Sequence, residues 1–264
     1  MLWVALNLLQ FTVSNQSVPK SVNEDRINKP FRAIPSGKIS VYHATILRWV
    51  LVPVCIGHSM LYSLLATFTS AFLIILTILY NEFDISSNGP LRNVFNALGY
   101  ACFGSGAILV ASPDPSKLSN VALKAITLNL FFVLLTTIHA QDFQDVDGDK
   151  EVGRITLPMM MPPSIARSTL LILLVTWSFI LSKVWAVSAV VLLGYLGLAT
   201  LAGLNYVLYE TVEDDHCSYR IYNVSPLLSI TRLSIQVDSR SVSLQVWLAF
   251  TWMLPAMSRF KDTS

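Results

Sequence analysis

Apolar residues are concentrated in long windows that follow one another along the chain. The windows lie at positions 42–62, 64–83, 93–112, 120–140, 164–182 and 185–209, with a seventh near 243–258. A helix needs about 20 residues to cross roughly 30 Å of hydrocarbon, and each window is close to that length. Because a bilayer offers the backbone no hydrogen-bond partners, such segments span it as helices. The pattern predicts an all-α fold, a polytopic transmembrane helical bundle with about seven full spans.

The stretch MLWVALNLLQFTVS at the start of the chain is apolar but shorter. It lacks the basic start and the small-residue cleavage site of a secretory signal peptide. It is also too short to cross a bilayer as a helix. We interpret it as the last part of a spanning helix. We therefore expect residues 1–264 to be a single membrane-embedded domain that is truncated at its N-terminus.

Two polar islands interrupt the apolar pattern. The first island is NEDRINKPFRAIPSG at 23–37, and the second island is QDFQDVDGDKEVGR at 141–154. Four predicted spans separate them, and an even number returns the chain to the same side. That side also carries most of the Lys and Arg residues, whereas the opposite loops hold Lys117 and Lys183. The positive-inside rule predicts that both islands, and a third polar loop at 209–220, face the cytosol.

Composition supports a membrane protein and argues against other classes. The chain is 53% hydrophobic and only 13% charged, with a mean hydropathy of +0.57. Soluble domains carry about a quarter charged residues. The net charge of +2 comes without a basic cluster interleaved with aromatic residues, so we expect no nucleic-acid partner. The three cysteines are scattered and predict neither a disulfide framework nor a zinc site.

The second island contains carboxylates at helical spacing. Asp142, Asp145 and Asp149 are three and four residues apart. If the preceding helix continues by one or two turns, the three carboxylates share one face. Like charges this close need a cation. Hard oxygen ligands suit Mg²⁺, which usually binds through one or two carboxylates together with substrate phosphates.

Basic residues accompany the carboxylates in both islands. In the second island, Lys150 and Arg154 follow the aspartates at once. The first island repeats this arrangement with Glu24 and Asp25, then Lys29 and Arg32. Arginine is suited to bidentate contact with phosphate. Carboxylates for a metal beside cations for phosphate predict that the two islands meet and hold one diphosphate.

Other interpretations of these polar residues compete with a diphosphate site. Charged residues in a loop are often only solvated. An EF-hand needs Gly at its sixth and Glu at its twelfth position, where this chain has Gly148 fourth and Thr156 twelfth. The D-G-x-x-A-R pattern of CDP-alcohol phosphatidyltransferases is replaced by DGDKEV. Of the membrane histidines, His58 is interpreted as a packed residue, whereas His139 stays a candidate for a functional role.

The residues of the two islands carry a family resemblance. DFQDVDGDKEVGRITLP resembles the second aspartate-rich motif of the UbiA superfamily of intramembrane prenyltransferases, and EDRINKPFRAIPSGKIS resembles the end of its first motif. LYNEF, NALGY and TTIHAQDF are similar to the branch found in filamentous fungi, and the resemblance extends to about position 223. It implies about nine spans, an apolar cavity for the prenyl tail and Mg²⁺ that bridges a prenyl diphosphate to both motifs.

The resemblance also implies roles for individual residues. Ser17 and Ser21 stand where the family commonly has Asn and Asp, so that Asn15 is the expected asparagine of motif one. The implied catalytic residues are Asp25, Asp145 and Asp149. The implied metal ligands are Asn15, Glu24, Asp25, Asp142, Asp145 and Asp149. The implied diphosphate-binding residues are Lys29, Arg32, Lys150 and Arg154.

Three functions are compatible with this resemblance. The first is transfer of the prenyl group to an acceptor, typically an aromatic carbon. The second is a membrane terpene cyclase, in which a double bond of the same chain captures the cation. The third is a non-catalytic remnant. The Ser-rich stretch at 224–245 interrupts the resemblance and has intron-like ends, and we interpret it as a non-native insert.

Overall fold

The computed structural model of the chain describes residues 2–222. The predicted span near 243–258 and the stretch at 224–245 lie outside the described residues. Within the described part the chain is helical and contains no β-strand; one isolated bridge pairs Asn88 with Ile155. The helices are α1 (Leu2–Ser17), α2 (Pro19–Asn28), α3 (Val41–Met60), α4 (Leu64–Glu82), α5 (Gly89–Ala111), α6 (Asn120–Gln141), α7 (Val146–Glu151), α8 (Pro163–Val184), α9 (Ala189–Leu208) and α10 (Val212–Tyr222).

Six of these helices are long and apolar enough to cross a membrane. They are α3, α4, α5, α6, α8 and α9. They coincide with the six predicted windows, so the predicted fold class is confirmed. Their ends are set by local signals. For example, the Ser188 hydroxyl accepts a hydrogen bond from the Val191 N–H, so that α9 begins at Ala189, four residues later than its window.

The chain divides into two compact units. Among the described residues, the first consists of 2–135 and Asp145–Thr156, and the second of Thr136–Gln144 and 157–222. Both polar islands contribute to the first unit. The residues at 141–144, at the start of the second island, belong to the second unit.

The first unit is built around α1, which packs against α3, α4 and α5. Trp3 is fully buried and its indole N–H donates to the Ser59 hydroxyl at 2.8 Å. A Cβ atom at Gly106 would lie 1.9 Å from the Trp3 ring, so only glycine allows this contact. The buried face of α1 also carries a polar row, in which Asn7 accepts from the Ser70 hydroxyl. These hydrogen bonds satisfy polar groups that are removed from water.

In the second unit, α8 packs along α9. Gly203 allows the close approach, because a Cβ there would lie 2.8 Å from the Leu171 Cα atom. Arg167 of α8 is buried and forms a bidentate ion pair with Asp215 of α10. Its two terminal nitrogens each donate to one carboxylate oxygen at 2.6 Å. This pair holds α10, which forms most of the predicted third polar loop, against α8.

The second island differs from its predicted form. A continuation of α6 was expected to place Asp142, Asp145 and Asp149 on one helical face. Instead α6 ends at Gln141 and α7 begins at Val146. The Asp142 N–H bonds to the His139 carbonyl in a tightened last turn, and Asp145 occupies the position before α7. The helical spacing is therefore interrupted between Asp142 and Val146.

Candidate functional site

The first island folds into a short polar helix with one buried edge. Val18 is extended and Pro19 occupies the first turn of α2, where its missing N–H has no partner to lose. Glu24 and Asp25 are nevertheless buried, because α2 packs against α7 of the second island. This contact between helices brings the acidic residues of the two islands together, as the sequence predicted.

Lys29 and Asp145 join the two islands directly. The Lys29 ammonium donates to both carboxylate oxygens of Asp145, at 2.7 and 2.6 Å. The Asp145 side chain is only 6% exposed. A charge-assisted pair of this kind, held at both oxygens, is short and strong. It fixes the C-terminal end of α2 beside the start of α7.

Arg32 and Asp25 form a second pair within the first island. One terminal nitrogen of Arg32 donates to both Asp25 oxygens, at 2.7 and 2.9 Å. The Asp25 carboxylate is buried, whereas the Arg32 side chain is 35% exposed. Arg32 therefore contacts the buried carboxylate from the solvent side.

Arg154 provides a second connection between the islands. Gly153 adopts a positive φ of 67° after α7 and reverses the chain, as glycine commonly does at a helix C-terminus. One terminal nitrogen of Arg154 then donates to Glu24 at 2.6 Å and to Asp149 at 2.7 Å. All three side chains are buried. One cation thus balances two carboxylates from different islands.

Arg92 is a site residue that the sequence pattern marks only as one of the positive charges near the spans. It lies in the first turns of α5, is buried, and interacts electrostatically with both Asp149 and Arg154. The available signal was an arginine inside an apolar helix, because ionisable residues in such helices usually have a functional partner. The sequence alone did not indicate which carboxylate it would approach.

Three predicted site residues occupy other positions. Lys150 is exposed. The side-chain oxygen of Asn15, Oδ1, accepts a hydrogen bond from the side-chain amide of Asn81 in α4 at 2.9 Å. Asp142 is fully buried and belongs to the second unit. Their predicted roles in phosphate and metal binding stay predictions.

Burial changes the acidity of two site carboxylates. Removal from water raises the pKa of Asp25 above its ordinary value, although Arg32 and Lys29 oppose this effect. Burial likewise raises the pKa of Asp149 against the influence of Arg92 and Arg154. In both cases desolvation disfavours the charged form. The neighbouring cations therefore oppose the effect of burial on the pKa of both carboxylates.

The donor set suits a hard divalent cation. Four buried carboxylates lie in the first unit, at Glu24, Asp25, Asp145 and Asp149. One oxygen of Asp149, Oδ2, is buried and has no hydrogen-bond partner among the described residues. In the described part of the chain, no group of three His, Cys, Asp or Glu side chains is already arranged to bind one metal ion. Mg²⁺ needs only one or two carboxylates when substrate phosphates supply further oxygens, so these residues fit it.

Comparison with known proteins places this arrangement in context. Residues 2–224 match the model of the UbiA prenyltransferase family. The chain is 33% identical over 223 residues to fumagillin beta-trans-bergamotene synthase of Aspergillus fumigatus, covering 84% of this chain and 74% of that one. It is 29% identical over 264 residues to diterpene cyclase eriG of Hericium erinaceus, covering 91% of this chain and 78% of that one.

A transferase and a solved structure are also similar. The chain is 33% identical over 168 residues to digeranylgeranylglyceryl phosphate synthase of Sulfurisphaera tokodaii, covering 59% of this chain and 56% of that one. Its fold is similar to a UbiA homolog from Archaeoglobus fulgidus bound to GPP and Mg²⁺. The TM-score is 0.58 at 15% identity, over 96% of this chain and 88% of that one.

Proposed function

Because this chain belongs to the UbiA prenyltransferase family of integral membrane proteins, we propose that it binds an allylic prenyl diphosphate and ionises it. One observation carries the proposal. The two polar islands, more than a hundred residues apart, meet through Lys29 with Asp145 and through Arg154 with Glu24. A solvated loop has no need of such buried, charge-matched contacts. Such contacts are expected of a site that binds a metal ion together with a ligand carrying several negative charges.

The basic residues bind and orient the diphosphate in this proposal. Lys29 and Arg32 each donate to a carboxylate and can turn these donors to phosphate oxygens as the substrate enters. Arg154 and Arg92 supply positive charge from the buried side. As the carbon–oxygen bond breaks, the electron pair leaves with the diphosphate, so negative charge grows where these cations lie. Donors that are already in place stabilise that charge without reorganisation.

The carboxylates would hold Mg²⁺. In the first unit these are Glu24, Asp25, Asp145 and Asp149, and the sequence adds Asn15 and Asp142 as further candidates. When bound, Mg²⁺ neutralises charge on the departing diphosphate. The UbiA homolog of similar fold is bound to GPP and Mg²⁺, which supports this choice of substrate class and ion.

The allylic cation has two candidate fates. The first is capture by an aromatic carbon of an acceptor, which gives a prenyltransferase. The second is capture by a double bond of the same prenyl chain, which gives a terpene cyclase. Cyclisation is supported by the matches to the bergamotene synthase and the diterpene cyclase, which run over 84% and 91% of this chain. In both cases the cation would have to be kept away from water.

The test is product analysis with purified protein in liposomes. Mg²⁺ and prenyl diphosphates of several lengths are supplied with or without phenolic acceptors, and released diphosphate is measured beside the organic products. We expect diphosphate release with at least one chain length. A hydrocarbon formed without acceptor identifies cyclisation, and an alkylated phenol identifies transfer. No release above that of the Asp149→Ala variant would contradict the proposal and favour a non-catalytic remnant.

We also propose that the site faces the cytosol. Four spans, α3 to α6, separate the two islands, and the loops on the island side carry most of the basic residues. Positive residues near spans favour the cytosolic side. Single cysteines placed at the exposed positions Lys38 and Lys117 test this in cells whose plasma membrane alone is permeabilised, where only the first should react with an impermeant thiol reagent. The reverse labelling would contradict the orientation.

A further inference from the structure

Asn28 makes two hydrogen bonds to the second island with one side chain. Its amide nitrogen donates to the Asp145 carbonyl, and its amide oxygen accepts from the Gly148 N–H, both at 3.1 Å. Asn28 is the last residue of α2, and the atoms that it contacts are at the start of α7. A single side chain from another helix therefore satisfies the backbone at the first turn of α7.

This role normally belongs to the residue that precedes a helix. Aspartate at that position usually accepts a hydrogen bond from the second or third N–H of its own helix. Asp145 precedes α7, yet its side chain makes no such bond. Asn28 binds the N–H of Gly148, the third residue of α7, in its place. The Asp145 carboxylate is left to contact Lys29, the neighbour of Asn28, through both oxygens.

Gly148 is shaped for this contact. A Cβ atom at position 148 would lie 2.3–2.6 Å from the side-chain amide atoms of Asn28. Gly148 lies within helix α7, so its backbone conformation does not demand glycine. The close approach of Asn28 does. The asparagine and the glycine therefore form one contact that needs both residues.

We infer that Asn28 is a positioning residue that caps α7 in place of Asp145 and so keeps the Asp145 carboxylate available for the site. The inference rests on the proposed function, because it assigns Asp145 to metal and diphosphate binding. Without Asn28, the Gly148 N–H loses this partner, and Asp145, which precedes α7, has the side chain that normally caps a helix from that position. Turned toward its own helix, that carboxylate no longer contacts Lys29 and cannot bind the metal.

The test measures Mn²⁺ binding, as a paramagnetic substitute for Mg²⁺, in detergent-purified protein with inorganic pyrophosphate present. Loss of a group that orients a metal ligand typically weakens metal binding by about 10–100-fold, and we expect Asn28→Ala to fall in this range. Asn23→Ala is the matched control, since Asn23 is an exposed asparagine on the same helix and its side chain accepts a hydrogen bond from Arg26 of that helix. It should bind Mn²⁺ as the wild type does.

A double-mutant cycle separates positioning from general stability. If Asn28 acts through Asp145, then Asn28→Ala should cause no further loss of Mn²⁺ affinity once Asp145→Ala is present. Equal losses in both backgrounds would overturn the inference. So would wild-type affinity of Asn28→Ala in a protein whose wild type binds Mn²⁺. Absence of Mn²⁺ binding in the wild type would instead contradict the proposed function itself.

Gly148→Ala tests the same contact from the other helix and leaves Asn28 in the chain. Gly148→Ala should weaken Mn²⁺ binding because its methyl group pushes Asn28 away. Combining it with Asn28→Ala removes the collision, so thermal stability should recover while Mn²⁺ affinity stays low. If the double variant is no more stable than Gly148→Ala alone, the contact between these residues is not the reason for the glycine, and the inference fails.

Discussion

Replacement of Arg154 by methionine should strongly destabilise the protein. Arg154 is 4% exposed and lies between Glu24 and Asp149, with donor–acceptor distances of 2.6 and 2.7 Å. Methionine keeps much of the length and apolar volume of the side chain and removes its charge. The two carboxylates then face each other, buried, without the cation that bridges them.

The size of the effect follows from this burial. Removing one partner of a buried ion pair costs about 3–5 kcal/mol, because the remaining charge is left uncompensated. Each 1.4 kcal/mol is a factor of ten in an equilibrium constant, so the ratio of folded to unfolded protein should fall roughly a hundred- to a few-thousand-fold. Arg92 offsets part of this loss, since it also interacts with Asp149. The lower end of the range is therefore expected.

The assay is equilibrium unfolding of the purified protein in mixed dodecylmaltoside and SDS micelles, followed by tryptophan fluorescence. Lys117→Met is the control, because Lys117 pairs with Asp114 on the surface and its side chain is 78% exposed. It should unfold at the wild-type SDS fraction. Adding Asp149→Asn to Arg154→Met removes one of the two uncompensated buried charges and should restore part of the stability. A loss below about 1 kcal/mol for Arg154→Met would refute the reasoning, since a solvent-exposed pair could account for it.

Other changes test the site and the sequence. Asp145→Ala and Asp149→Ala should each abolish diphosphate release while the protein stays folded in membranes; near-normal release in either variant would remove the second island from the site. Arg32→Ala should weaken prenyl diphosphate use by roughly 10–150-fold in kcat/KM, from a charge-assisted hydrogen bond of about 1.5–3 kcal/mol, and unchanged kinetics would show that it does not reach the substrate. Arg92→Met should raise the activation free energy calculated from kcat by more than it lowers the free energy of unfolding. A larger effect on unfolding would make the role of Arg92 structural. Reverse-transcribed message should lack the codons for residues 224–245. A dominant transcript that retains these codons would contradict the interpretation of the stretch as a non-native insert.

The sequence determined the spanning helices because their formation is a local matter. A segment of about 20 apolar residues in a bilayer must satisfy its backbone internally, whatever its neighbours are. The six windows therefore correspond to six helices. Their ends were less certain, since they depend on single capping residues such as Ser188 or on a turn such as the one that contains Ala186 at φ 49°.

The sequence also determined which residue types form the site. Carboxylates beside basic residues in two islands on one side of four spans predicted that the islands meet, and the pairs of Lys29 with Asp145 and of Arg154 with Glu24 confirm it. Which acid binds which base was beyond the sequence. Arg32 pairs within its own island, whereas Lys29 and Arg154 pair across, because the choice depends on how α2 packs against α7.

Only the tertiary structure decided the finer roles within the site. Regular helical spacing suggested one face for three aspartates, but this spacing is interrupted between Asp142 and Val146, so spacing along the sequence no longer measures distance. Arg92 becomes a site residue, and Asn28 the cap of α7, through contacts with residues far away in the chain. No local pattern encodes such contacts. They arise because packing two helices leaves buried polar groups that must find partners, and the fold determines which partners are near.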